Sequence, residues 1–134
     1  MRIMLDTNII ISAALFPTGR AAEALLKALV LPFEPVVCDY VIAELHRKFK
    51  EKFPKRTNEL EAFIDGFLGC VELVSTPKEI SPAEAKIRDV KDRPILRAAL
   101  NAHADLFLTG DRDFLESSVE DPRIISVADF LSLY

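Results

Sequence analysis

Short continuous apolar runs punctuate the chain at Ile3-Met4-Leu5, Val36-Val37-Cys38, Leu106-Phe107-Leu108 and Ile124-Ile125, with a further β-type segment at Val71 to Val74. Runs of this kind fit strands buried on both faces, and the stretches between them repeat apolar residues at helical spacing. Ile9 to Leu15 follows Thr7-Asn8, residue types that cap helices. Ala21 to Val30 places Ala22, Leu25, Leu26 and Leu29 on one face, and Pro32 and Pro35 end it. Asp39 stands where it can cap a helix carrying Val41, Ile42, Leu45 and Phe49. After Pro54 a further helix repeats Leu60, Phe63, Ile64, Phe67 and Leu68, with Asn58 and Glu61 at capping-box spacing. These two form a helical hairpin inserted between strands. Ser81-Pro82-Ala83-Glu84 opens a brief helix, Pro94 opens a stronger one through Leu100, and Ala128 to Leu133 closes the chain. Strands alternating with helices predict an α/β fold, an α/β/α sandwich around a mostly parallel sheet.

With 134 residues, half of them hydrophobic, a single domain spanning 1–134 with a sizeable core is expected. No apolar run reaches the roughly 20 residues of a membrane span, and the start meets Asp6 too soon for a secretory signal, so a cytoplasmic protein is expected. Cys38 and Cys70 lack metal-ligand spacing and are expected as reduced core residues.

Candidate chemistry lies where the apolar runs stop. Asp6 follows the first run, and Asp111 follows another through Thr109-Gly110. In open α/β folds the C-terminal ends of the strands are where sites are built, so two strands aim carboxylates at one rim. Glu44 lies on the helix after Val36-Val37-Cys38, near its apolar stripe. Asp92 precedes the helix opened by Pro94, and Asp89 stands three residues earlier. Thr7, Asn8 and Thr109 are suited to fixing the carboxylates by hydrogen bonds. Carboxylates gathered in one place repel one another unless a divalent cation sits between them.

Taken together and in this order, these pieces resemble the PIN domain, the metal-dependent ribonuclease fold known as the toxin half of VapC-type toxin-antitoxin modules. The resemblance runs through Leu5-Asp6-Thr7-Asn8-Ile9-Ile10, Glu44-Leu45, Asp89 to Leu100, Thr109-Gly110-Asp111-Arg112-Asp113-Phe114 and Ser126 to Leu131. It implies that Asp6, Glu44, Asp92 and Asp111 are catalytic and hold one or two Mg2+ or Mn2+ ions, with Asp113 and Asp89 as further ligands. It also implies RNA as substrate, an antitoxin protein as partner, and a homodimer. The block before the third acid often runs acidic-Pro-acidic-acidic-Asn in that family. Here it is Asp89-Val90-Lys91-Asp92-Arg93, which sets cations beside the acid. The implied chemistry is metal-assisted phosphodiester hydrolysis, which needs no His or Ser nucleophile.

A net charge of −4 counts against nucleic-acid binding, although the carboxylates assigned to metal account for much of it. The bases are unevenly placed: Arg47, Lys48, Lys50, Lys52, Lys55 and Arg56 cluster just past Glu44, opposed only by Glu51. With Arg93 they form a candidate phosphate track. The rivals are an RNA-processing PIN nuclease outside toxin-antitoxin systems and an inactive PIN-fold binding module. A phosphatase of the haloacid dehalogenase type needs an acid where Asn8 stands, and a receiver domain needs an acidic pair at the first strand's end.

Overall fold

The computed structural model describes residues 1–134. Five strands, β1 (Arg2–Leu5), β2 (Glu34–Cys38), β3 (Glu72–Val74), β4 (Leu106–Leu108) and β5 (Arg123–Ile125), form one sheet in the order β3-β2-β1-β4-β5. Every neighbouring pair is parallel. Flanking the sheet are α1 (Thr7–Leu15), α2 (Arg20–Ala28), α3 (Asp39–Lys52), α4 (Thr57–Leu68), α5 (Arg93–Asn101), α6 (Arg112–Leu115) and α7 (Val127–Leu133). The expected α/β class and the α3–α4 insertion between β2 and β3 are both present. Ile3, Met4, Leu5, Val36, Val37, Phe107 and Leu108 are wholly buried, which is why these strands read as unbroken apolar runs.

β1 is central, and the chain leaves it toward β2 on one side while β4 lies on the other. The order therefore reverses between β1 and β4, and the crevice beyond their C-terminal ends is where such sheets bind ligands. Leu5 is in register with Leu108, so the residues that follow, Asp6 and Thr109, emerge side by side.

Several local expectations are corrected. Asp39 is the first residue of α3 rather than its cap, which is Cys38. Its carboxylate instead accepts from the amide and hydroxyl of Thr76 as well as from Tyr40 N–H, tying the start of α3 to the segment after β3. Asn58 and Glu61 make no capping box, because α4 starts at Thr57. Glu61 bridges to His46 on α3 at 2.8 Å instead. Pro35 lies within β2, opposite Ile3. It is tolerated because β3 pairs only from Val36 onward, so no partner is lost where the proline N–H is missing. Leu26 faces outward, and the buried stripe of α2 runs through Ala22, Leu25 and Ala28. Cys38 is buried as expected, but Cys70 is exposed; both are free thiols.

The Ser81-Pro82-Ala83-Glu84 segment forms a 3-10 turn over Pro82–Lys86. Glu84 Oε2 accepts from the Ser81 amide at 3.1 Å, as the capping motif predicts. Glu84 is also buried and grips Arg97 of α5 at 2.9 and 2.7 Å, while Arg97 donates to the Pro77 carbonyl. This forked pair pins the connection leading from β3 to α5. The guanidinium holds the Glu84 carboxyl below its ordinary 4.5, so the pair stabilises the fold above that pH and loses its effect as the carboxyl protonates. Glu84→Gln should therefore lower the melting temperature at neutral pH. The deficit relative to the unaltered protein should shrink below about pH 4.5, as thermal unfolding monitored by circular dichroism will show.

Candidate metal centre

Asp6 leaves β1 with extended backbone and caps α1, its Oδ1 accepting from Thr7 N–H at 2.8 Å. Its Oδ2 accepts from the Thr109 hydroxyl at 2.6 Å, and Thr109 Oγ1 in turn accepts from Asp111 N–H at 3.0 Å. Asp111 caps α6 through Asp113 N–H at 2.9 Å. A single relay thus joins the ends of β1 and β4. Asp6 and Thr109 are buried. Capping explains one oxygen of Asp6 and one of Asp111, but it explains neither the burial of Asp6 nor the other acids around it.

Asp92 occupies the cap position of α5 yet makes no capping hydrogen bond. Its carboxylate is thereby free to face the other acids. The 3-10 turn Val90–Asp92 has three residues per turn, so Asp89 and Asp92 at i and i+3 eclipse one another. Ligand oxygens of Asp89, Asp92 and Asp113 all lie within 4.8 Å of one another. Two oxygens on opposite sides of one Mg2+- or Ca2+-sized ion stand roughly 4 to 5 Å apart, so this trio has the right span.

The electrostatics join the trio to the relay. Burial is the chief cause that pushes Asp6 from 3.8 up to about 6, with Glu44 and Asp111 adding repulsion against the hydrogen bonds from Thr109 and Thr7. Burial, then Asp111, Asp89 and Asp6, push Asp92 up to about 7. Glu44, three-quarters buried, is near enough to Asp6 to repel it and is itself flanked by Arg47 at 3.7 Å and Lys48 at 4.0 Å.

The expected residues therefore divide. Glu44 and Asp111 both act on Asp6, and Asp111 and Asp6 act on Asp92, while Asp89 and Asp113, secondary in the sequence, form an oxygen cluster with Asp92. The spacing of Asp89 and Asp92 ahead of Pro94 was the signal for this. Thr109 touches Asp6 as expected. Thr7 does so through its backbone only, and Asn8 accepts from Lys48 at 3.3 Å rather than touching the acid. Arg93 donates to the Ile87 carbonyl at 2.9 Å, and Arg56 pairs with Glu59. Lys50, Lys52 and Lys55 are exposed. Sequence reasoning missed Arg88, whose guanidinium sits 2.9 Å from both Asp113 and Glu116.

The donor set fits a divalent cation on two counts. It consists of carboxylate oxygens, which hard cations select, and Asp6, Asp92 and Asp111 have no cationic side chain in ion-pair contact, unlike Glu44 and Asp113. The buried Thr7 hydroxyl beside Asp6 also lacks any hydrogen-bond partner, leaving an acceptor for water or for an ion's hydration shell.

The model of the PIN domain matches residues 2–113. No curated protein matches the chain. Among solved structures, the chain is similar to VapBC2 from Rickettsia felis bound to a DNA fragment from their promoter, with TM-score 0.73, 18% identity, and 94% of this chain and 98% of that chain covered. It is similar to VapBC-1 from nontypeable Haemophilus influenzae, with TM-score 0.69, 20% identity, and coverage of 96% and 99%. It is also similar to the PIN domain endonuclease Utp24, with TM-score 0.57, 21% identity, and coverage of 96% and 86%.

Raised carboxyl pKa values make a prediction about the metal-free protein. The unfolded chain ionises both aspartates near pH 3.8, whereas the folded chain keeps Asp6 protonated up to about pH 6 and Asp92 up to about pH 7. Stability therefore falls as pH rises through that window and stays lower above it. For Asp6 alone the cost is on the order of 3 kcal/mol. Asp6→Asn keeps an acceptor for Thr7 N–H and removes the charge, so with EDTA present its melting temperature at about pH 8 should equal or exceed that of the unaltered protein. A marked loss there would make Asp6 a helix cap and nothing more.

Proposed function

The chain belongs to the PIN-domain family, and from that premise we propose that it is a metal-dependent endoribonuclease, the toxin of a toxin-antitoxin module. The observation that carries this is the convergence of Asp6, Glu44, Asp92 and Asp111, with Asp89 and Asp113, on the crevice between β1 and β4. In this reading these six acids hold one or two Mg2+ or Mn2+ ions. Such ions supply Lewis acidity toward a phosphodiester and lower the pKa of water at neutral pH.

The chain's own groups do the rest. Thr109 orients Asp6 by its hydroxyl, and the Asp111 amide holds Thr109 in place. Arg47 and Lys48 flank Glu44 and offer positive charge to a phosphate at the rim of the acids. Lys50, Lys52 and Lys55 extend that charge along α3 and the following turn, guiding the RNA backbone without reading its sequence. Arg56 and Arg93, each already engaged within the fold, have a smaller share.

The toxin assignment draws support from the likeness to VapBC structures. It brings an antitoxin partner, a homodimer and a cytoplasmic setting, with residues 1–134 acting as one PIN domain. The likeness to the endonuclease Utp24 favours a second reading, an RNA-maturation nuclease outside such modules. A gene for a small DNA-binding protein beside this one would decide for the toxin.

Purified protein should cleave single-stranded RNA with Mg2+ or Mn2+ and stop when EDTA is added; products undiminished in EDTA would remove the metal mechanism. Saturating Mn2+ should raise the melting temperature, since a ligand at about 100 times its Kd contributes roughly 2.7 kcal/mol. Asp6→Asn and Asp111→Asn should lose most of that shift and the cleavage with it.

The phosphate track has its own test. Reversing Lys50 and Lys52 to Glu should weaken binding to RNA of any sequence and flatten its dependence on salt, by about 0.7 in log–log slope for each phosphate no longer neutralised. An unchanged slope would reduce these lysines to a solvated helix face.

A further inference from the structure

Beside Glu44 a groove of about 510 Å3 opens between the first turns of α3 and the approach to α5. Tyr40 and Arg47 line it from α3, and Val90, Lys91 and Pro94 from the other wall. Tyr40 is 50% and Val90 66% exposed, so an aromatic side chain and a branched aliphatic one both present uncovered surface at this cleft. Arg47 is also largely exposed, and Lys91 beside Val90 is exposed as well. Glu44 belongs both to this groove and to the acid cluster, so whatever fills the groove abuts the carboxylates.

An aromatic ring for stacking, an aliphatic wall opposite and two cations within one nucleotide's reach match the chemistry of an unstacked base and its phosphate. The volume lies in the range of small-molecule pockets and is far too small for a duplex. A duplex, moreover, keeps its base faces inside its own stack and has none to offer Tyr40.

We propose that this groove seats one unpaired nucleotide of the RNA substrate, its base stacked on Tyr40 beside Val90 and its phosphate held by Arg47 and Lys91, next to the phosphodiester that faces the acids. The assignment rests on the ribonuclease reading above and deepens it: it makes the enzyme selective for single-stranded RNA and Tyr40 a substrate-binding residue. Because Tyr40 is half exposed on the first turn of α3, its replacement leaves the core untouched.

The test uses single-stranded RNAs carrying 2-aminopurine at successive positions, bound to the Asp6→Asn protein so that no cleavage intervenes. One position should be quenched on binding. The quench should persist when Tyr40→Trp is added and vanish with Tyr40→Ala. In the otherwise unaltered enzyme, Tyr40→Ala should raise KM roughly 5- to 150-fold with a smaller effect on kcat and no change in melting temperature. Tyr40→Trp should restore KM, and a duplex of the same sequence should compete poorly. If the unaltered enzyme cleaves RNA but Tyr40→Ala leaves KM and the quench intact, the groove assignment is overturned while the nuclease stands, and the groove falls to another class of partner such as a peptide. If Tyr40→Trp fails as badly as Tyr40→Ala, stacking is likewise refuted. An unaltered protein that cleaves no RNA with either ion defeats the ribonuclease reading, and this proposal with it.

Discussion

Repulsion among acids gathered at the C-terminal edge of one sheet is the constraint the rest of this molecule has to withstand. Six carboxylates, Asp6, Glu44, Asp89, Asp92, Asp111 and Asp113, share the crevice beyond β1 and β4, and Asp6 is buried there. Left to themselves they would separate. Parallel pairing of β1 with β4, registered at Leu5 and Leu108, prevents that by delivering Asp6 and Thr109 together. The Thr109 hydroxyl then bridges the two strand ends through Asp6 Oδ2 and the Asp111 amide. Strands buried on both faces provide the apolar burial that outweighs the strain.

The sequence announced the strands clearly, because a parallel strand covered on both faces reads as an unbroken apolar run and this needs no partner to be recognised. It announced Asp6 and Asp111 for the same reason, each standing where such a run stops. What it hid was set by contacts distant along the chain. Asp39 has every local mark of a helix cap, yet the turn after β3 brings Thr76 to its carboxylate. Glu61 looked like half of a capping box until α3 placed His46 beside it. The prominence of Asp89 and Asp113 depends on a 3-10 turn meeting the loop after β4, and no window of local sequence contains both. Arg97 and Glu84 were likewise separated by a loop whose path the pattern did not reveal.

If RNA is the substrate, as proposed, a chain of net charge −4 needs its cations well placed. Arg47 and Lys48 stand one turn beyond Glu44 on α3, and Asn8, next but one after Asp6, steadies Lys48. Lys91 flanks Asp92 from the opposite wall of the groove. The negative centre is thereby rimmed with positive charge, which in the proposed reading meets a phosphodiester before the acids do. Such local complementarity matters more at contact distance than the overall charge, which salt screens within about 8 Å at physiological strength.

The proposed metal centre stands or falls on whether these carboxylates converge closely enough to hold protons that a cation displaces. Calorimetric titration of the metal-free protein with Mn2+ at about pH 6, in two buffers of different protonation enthalpy, measures that directly. With Asp6 and Asp92 raised to about 6 and about 7, binding should release protons at that pH and release progressively fewer as pH approaches about 8.5. Binding without proton release at about pH 6, or no binding at all, would contradict it.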